Sequence, residues 1–119
     1  MDSERAALLR DFYAAIDTKD WQRAISYLAP DCRWHILAND VTDPASVAGP
    51  VAVAAWFESA LGGVATRQVI DQIVERDNGV AVFTSAVVTS NGNSSNSEWI
   101  DVSTFAGNLI SEHVSVQTG

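Results

Sequence analysis

The chain has 119 residues, enough for one hydrophobic core, so residues 1–119 are expected to form a single domain. Apolar residues make up 47% of it and charged residues 18%, a balance typical of a globular protein. The formal net charge is −8 and the seven basic residues are scattered, which argues against binding to nucleic acid.

The first part of the chain has apolar residues at the spacing of a helix. Apolar residues three and four positions apart predict a helix over residues 3–17, and Asp20 is expected to cap a second helix that ends at Pro30. A short strand is predicted over 32–37, followed by a loop over 38–49. Pro50 fits the first turn of a third helix, which stops at Gly62 and Gly63.

The remainder of the chain reads as strands. They are predicted over 64–76, 80–90, 97–105 and 109–117, with a tight turn at 77–79, a polar hairpin tip at 91–96 and a turn at 106–108. Helices that precede an antiparallel sheet indicate an α+β fold with the helices covering one face of the sheet.

Asp101 stands out within the stretch 98–105. Side chains alternate along a strand, so Trp99, Asp101, Ser103 and Phe105 are expected to share one face. A carboxylate between aromatic residues is not expected on a wet face. Burying it ionised and unpaired would cost several kcal/mol, so it should be hydrogen-bonded, paired or protonated.

The order of elements and several short motifs resemble the SnoaL-like and ketosteroid-isomerase-like branch of the nuclear-transport-factor-2-like superfamily. The matching segments are spread over nearly the whole chain: 12–17 with Asp20 and Trp21, 28–35, Gly49 and Pro50 with 54–57, and 100–102 with Phe105. The resemblance implies a cone-shaped, curved antiparallel sheet wrapped around three N-terminal helices. It also implies an apolar pocket for a small hydrophobic molecule, and homodimers.

Ketosteroid isomerases use a carboxylate base and two donors to the enolate oxygen, a tyrosine and a protonated aspartic acid. By this resemblance the aspartic acid falls on Asp101 and the tyrosine on Phe12, with Tyr13 one residue further along the helix. The base falls on Ile36, which cannot act as one. True ketosteroid isomerase activity is therefore not expected.

Other residues were weighed as partners of Asp101. Asp40 and Asp43 lie in the predicted loop and are interpreted as turn residues. His35 is expected to face outward if its neighbours face inward. On the last strand only one of Glu112 and His113 can face inward; if Val114 lines the pocket, Glu112 does too and opposes Asp101.

The resulting hypothesis is an apolar pocket in which Asp101 and Glu112 are the catalytic candidates. The predicted ligand-binding residues are Phe12, Tyr13, Trp34, Ile36, Trp56, Phe57, Trp99, Ser103 and Val114. Cofactor-independent isomerisation, cyclisation or dehydration of a small hydrophobic carbonyl compound is the leading function. A non-catalytic ligand-binding or dimerisation domain is the alternative. Epoxide hydrolysis in this fold would need an Asp–Arg–Asp arrangement, and no arginine is clearly placed beside Asp101.

No cofactor is expected, and the two histidines and single cysteine lack the spacing of a metal site. No apolar run is long enough to span a bilayer, and the charged amino terminus does not have the layout of a secretory signal. The sequence therefore predicts a cytoplasmic protein without membrane or nucleic-acid partners, and the family resemblance implies that it forms a homodimer.

Overall fold

The computed structural model of the chain describes residues 2–38 and 45–119. Within these residues the helices are α1 (Glu4–Asp17), α2 (Trp21–Ile25) and α3 (Pro50–Leu61). The strands are β1 (Leu28–Leu37), β2 (Ala45–Ala48), β3 (Ala65–Arg76), β4 (Gly79–Ser90), β5 (Asn93–Ala106) and β6 (Leu109–Gln117). The chain has the predicted α+β composition, and its helices, although confined to the first half, are interrupted by β1 and β2.

The helix starts have the expected chemistry. Ser3 Oγ accepts a hydrogen bond from the backbone N–H of Ala6 at 3.1 Å and so caps α1. Asp20 caps α2 in the same way, accepting from the backbone N–H of Arg23 at 3.2 Å. Pro50 occupies the first turn of α3, where its missing N–H costs no hydrogen bond.

The second helix is shorter than predicted. It ends at Ile25, and Pro30 lies inside β1 rather than at a helix end. The carbonyl of Tyr27 accepts a hydrogen bond from the backbone N–H of Ile110, and Leu28 pairs with Ile110. Pairing with the last strand therefore outweighs the helical spacing that extends to Leu28.

The sheet is curved, unclosed and mixed, in the strand order β2-β1-β6-β5-β4-β3. Strands β3 to β6 form the predicted antiparallel meander, and β1 pairs with β6 in parallel. The sheet is therefore mixed, because β1 joins the antiparallel meander through a parallel pairing that the sequence did not specify. Residue alternation indicates which faces a strand presents but not the direction of its neighbour.

Two local differences from the prediction arise because strand pairing extends into segments that have no apolar pattern. Strand β2 pairs with β1 inside the predicted loop, and Asp40 and Asp43 lie outside the described residues. The polar residues 93–96 extend β5, so the hairpin tip shortens to Asn91 and Gly92, both with positive φ.

The core lies between the inner face of the sheet and the helices. It joins α1 to α3 and to the inward side chains of β1, β4, β5 and β6, including Leu9, Phe12, Val53, Val82 and Ile110. None of the helices in the described part of the chain is both long enough and apolar enough to cross a membrane.

Candidate functional site

A cavity of about 170 Å³ opens between the inner face of the sheet and helices α1 and α3. Its wall is mostly apolar, which suits a small hydrophobic ligand. Eight of the residues predicted for the site line it: Phe12, Tyr13, Trp34, Ile36, Trp56, Phe57, Trp99 and Asp101.

Aromatic rings build one side of this cavity. Phe12, buried on α1, lies 5.4 Å from Trp34 and 6.3 Å from Phe57 between ring centroids. Trp56 packs edge-on against Phe57 at 5.4 Å. Tilted and edge-on contacts are the arrangements that aromatic pairs prefer, and here they make this side of the wall apolar.

Asp101 is the carboxyl group of the cavity wall. It lies on β5, is 5% exposed, and its cross-strand neighbour on β4 is the buried residue Val82. The Tyr13 hydroxyl donates a hydrogen bond to Asp101 Oδ2 at 2.7 Å. The other carboxyl oxygen, Oδ1, is buried and has no hydrogen-bond partner among the described residues. Asp101 therefore has one buried acceptor atom that no described residue satisfies.

The environment of Tyr13 makes it a donor that keeps its proton. Burial, followed by the charge of Asp101 and the hydrogen bond to it, raises the pKa of Tyr13 well above its usual value of 10.0. Tyr13 thus positions Asp101. The resemblance expects the tyrosine at Phe12, one residue earlier, but Tyr13 is buried as Phe12 is, and its hydroxyl therefore remains in the site.

His113 lies beside this pair on β6. Its ring stacks on Trp34 with centroids 3.9 Å apart and an interplanar angle of 10°. Nδ1 is 2.8 Å from Ser103 Oγ, and Nε2 is 2.9 Å from Ser115 Oγ and 4.0 Å from Asp101 Oδ2. Burial lowers the pKa of His113 to about 4, with a smaller opposing effect of Asp101. The ring is neutral at pH 7.

The expectation that Glu112 faces Asp101 was wrong, and so was the placement of Val114 in the pocket. The register pairs Asp101 with Ser115 and Ser103 with His113, which puts His113 and Ser115 of β6 inward. Glu112 is 45% exposed, and its carboxylate lies 3.5 Å from His35 Nε2 on the outer face. His35 faces outward as predicted.

Ser103 is on the predicted face but lies behind the cavity rather than in its wall. It is buried with no exposed surface and is hydrogen-bonded to His113. Several polar wall residues that share the inward parity of their strands were not predicted. These are Thr66, Gln68, Thr84, Ser97 and Ser115. Alternation from Asp101, once combined with the strand register, would have identified Ser115 and His113.

The described residues contain no group of three or more His, Cys, Asp or Glu side chains able to hold a metal ion. They also place no lysine or arginine in the cavity wall. The polar chemistry of the site therefore comes from one carboxyl group, one phenol, one neutral imidazole and several hydroxyl and amide groups.

Comparison with known families gives a match to the SnoaL-like domain over residues 9–113. Among solved structures, an NTF2-like protein of unknown function from Burkholderia pseudomallei superimposes with a TM-score of 0.85 at 21% identity, covering 98% of this chain and 92% of that chain. Comparison with curated proteins gives no match.

Two enzymes are similar in fold. A Delta 5-3-ketosteroid isomerase from Mycobacterium sp. has a TM-score of 0.83 at 17% identity, covering 98% of this chain and 95% of that chain. An LEH-like epoxide hydrolase from Mycobacterium tuberculosis has a TM-score of 0.80 at 14% identity, covering 97% and 83%. At these identities the likeness shows the fold alone.

Proposed function

The chain belongs to the SnoaL-like domain family, and from its site we propose that it binds a small, uncharged, largely apolar carbonyl compound. Asp101 is the acid–base group that moves a proton on this compound without a cofactor. Isomerisation, cyclisation and dehydration are the reactions that such a transfer serves.

The observation that carries the proposal is that the two oxygens of the Asp101 carboxyl group differ in their hydrogen bonding. Oδ2 is held by the Tyr13 hydroxyl at 2.7 Å, whereas Oδ1 is buried without a partner among the described residues. A structural aspartate would be expected to use both oxygens, because an unpaired buried acceptor costs about 1–3 kcal/mol. A ligand that directs a polarised C–H or an O–H group at Oδ1 supplies the missing contact.

The carboxylate of Asp101 serves as the base in this chemistry. Oδ1 accepts a proton from the carbon next to the ligand carbonyl, and the C–H electron pair forms the enolate double bond while charge moves to the carbonyl oxygen. Return of the proton to a different carbon completes an isomerisation. General acid–base catalysis of this kind typically contributes 10²–10⁴-fold to a rate.

The charge of the cavity wall supports an uncharged ligand. The wall residues of the described chain include one carboxyl group and no lysine or arginine. An anionic ligand would bring a second negative charge into a poorly solvated cavity with no cation to pair it. A neutral ketone carries no such penalty.

The proposal is tested by exchange of the methyl hydrogens of a naphthyl methyl ketone in deuterium oxide, followed by NMR. The wild-type chain is expected to accelerate exchange, and Asp101→Asn to lower the acceleration roughly 100-fold while leaving ketone affinity nearly unchanged. Asp71→Asn is the matched control, because Asp71 is exposed on β3 and binds only Ser85 among the described residues. Equal rates for wild type and Asp101→Asn would refute the assignment.

A non-catalytic ligand-binding domain is the second candidate, and one observation favours it. Ile36 occupies the position where the isomerase resemblance expects a base, and Ile36 lines the cavity. In that case the ketone would bind to wild type without accelerated exchange. Epoxide hydrolysis by an Asp–Arg–Asp arrangement is not supported, because the cavity wall of the described residues contains no arginine.

A further inference from the structure

Three side chains behind and beside Asp101 form a hydrogen-bonded chain with a buried end and a cavity end. Ser103 Oγ and His113 Nδ1 are 2.8 Å apart, and His113 Nε2 and Ser115 Oγ are 2.9 Å apart. Ser103 has no exposed surface, whereas Ser115 lines the cavity. Stacking of the His113 ring on Trp34 at 3.9 Å keeps the imidazole in the plane that reaches both hydroxyls.

The positions of the protons in this chain follow from hydrogen-bond accounting. A neutral imidazole has one N–H donor and one acceptor nitrogen, so the two serines cannot be treated alike. Within the described residues, the Ser103 hydroxyl is hydrogen-bonded to His113 alone. It must donate to Nδ1, because accepting from Nδ1–H would leave a buried O–H without an acceptor.

The rest of the direction is then determined. With Nδ1 as the acceptor, the ring proton is on Nε2 and is donated to Ser115 Oγ. The Ser115 hydroxyl proton is left for another acceptor, and His113 is the one hydrogen-bond partner of Ser115 Oγ in the described chain. In the opposite direction, the hydroxyl proton without an acceptor would be that of Ser103, in the core, instead of that of Ser115, in the cavity wall.

We infer that Ser115 is a ligand-contact residue that donates a hydrogen bond to an acceptor atom of the ligand, and that Ser103 and His113 are positioning residues that set this direction. Asp101 and Ser115 are direct cross-strand partners, so the donor lies beside the carboxyl group. When Ser115 binds the carbonyl oxygen of the ligand, the adjacent side chain is that of Asp101. Asp101 is the group proposed to remove the proton from the carbon next to this carbonyl. The ligand assignment rests on the proposed function, whereas the proton positions do not.

The proton positions are tested by ¹⁵N NMR of the full chain labelled in histidine at pH 7. The chain has two histidines, so His35→Gln identifies the signals of His113. We expect a protonated Nε2 and an unprotonated, hydrogen-bonded Nδ1. Ser103→Ala should move the Nδ1 signal toward that of a nitrogen without a hydrogen bond. A protonated Nδ1 in the wild-type chain would overturn the inference.

The ligand contact is tested by titrating wild type and Ser115→Ala with the naphthyl methyl ketone and with its alkene analogue, which lacks the oxygen. Ser115→Ala is expected to weaken ketone binding roughly five-fold, the effect of one neutral hydrogen bond, and to leave alkene binding unchanged. Ser85→Ala, on the outer face of β4, is the matched control and should change neither affinity.

Equal losses for ketone and alkene, or no ketone binding by the wild type, would overturn the ligand contact. Deuterium exchange separates this inference from the proposed function. Ketone binding that depends on Ser115 without accelerated exchange would leave the donor assignment standing and refute the acid–base role of Asp101.

Discussion

His113 is the residue whose burial has the clearest consequence for solution behaviour. The folded chain holds it as a neutral ring, with a pKa lowered from 6.5 to about 4, because the buried site disfavours the imidazolium more than Asp101 favours it. Between these values the unfolded chain binds more protons than the folded one. The stability that His113 contributes is therefore complete above pH 6.5 and is lost as the pH falls toward 4.

We predict that lowering the pH from 7 to 4 costs the wild-type chain about 3 kcal/mol of unfolding free energy through His113. Urea unfolding at a series of pH values measures this. His113→Gln should lose less stability over the same range, because glutamine does not titrate. His35→Gln, the same change at the partly exposed histidine of the outer face, is the matched control for the loss of a histidine. Identical slopes for wild type and His113→Gln would contradict the prediction.

The residues of the site were predictable to different degrees. Asp101 was identifiable because a carboxylate between aromatic residues on a strand conflicts with the local pattern. Tyr13 was predicted in the pocket and as a possible partner of Asp101, but its hydrogen bond to Asp101 was not fixed by the sequence, because helical spacing does not locate a side chain against a particular strand. Glu112 was misplaced because strand parity depends on register, and the register of β6 is set by its pairing with β5.

At the scale of elements, Asp17 ties the end of α1 to the edge strand β3. Its Oδ2 accepts from the backbone N–H of Gln68 at 2.9 Å, and its Oδ1 accepts from Thr66 Oγ1 at 3.1 Å. Both partners line the cavity. The carboxylate thus holds the outermost strand of the sheet against the helix that carries Tyr13, and so keeps the cavity closed on this side.

Asp17→Ala is expected to lower the unfolding free energy by about 1–3 kcal/mol, because it leaves a backbone donor and a side-chain donor without their shared acceptor. Urea unfolding at pH 7 measures the change. Asp11→Ala is the matched control on the same helix: Asp11 forms a surface ion pair with Arg23, whose removal should cost no more than about 1 kcal/mol. Equal losses in both variants would show that Asp17 does not anchor the strand.

The elements themselves were predicted best where local chemistry decides them. Pro50 and Gly62 mark the ends of α3, and the last strand has the predicted bounds. The differences concern the length of α2 and the presence of β2, and the direction of β1 was left open; all three are set by the pairing of β1 with β2 and β6. Hydrophobic spacing is a local pattern and does not indicate which strands pair with each other.

At the scale of the whole molecule, the outer face of the sheet is more apolar than a solvated face requires. Val69, Phe83, Val102 and Val116 are exposed large hydrophobic residues on the side opposite the cavity. Phe83 and Val116 both pair with Ile100, the neighbour of Val102, so these residues form a continuous strip across β4, β5 and β6. Strips of this kind mark association sites.

We propose that this strip is the contact between two copies of the chain, as the family resemblance implies. A symmetric contact uses the same surface patch of both copies, so a substitution in that patch enters the interface twice. Val102 is 42% exposed in the middle of the strip. A carboxylate added there would destabilise the contact in two ways, because the two added charges repel each other and both are buried without a partner.

Val102→Glu is expected to convert the dimer to a monomer in sedimentation velocity at micromolar concentration, while the far-ultraviolet circular dichroism remains that of the wild type. Val51→Glu is the matched control, because Val51 is 81% exposed on α3 and lies away from the outer face of the sheet. It adds the same charge and should leave the dimer intact. A monomeric wild type, or a Val102→Glu variant that sediments as a dimer, would remove the outer face as the site of association. Since the cavity lies on the other face of the sheet, the monomeric variant should still bind the naphthyl methyl ketone with wild-type affinity.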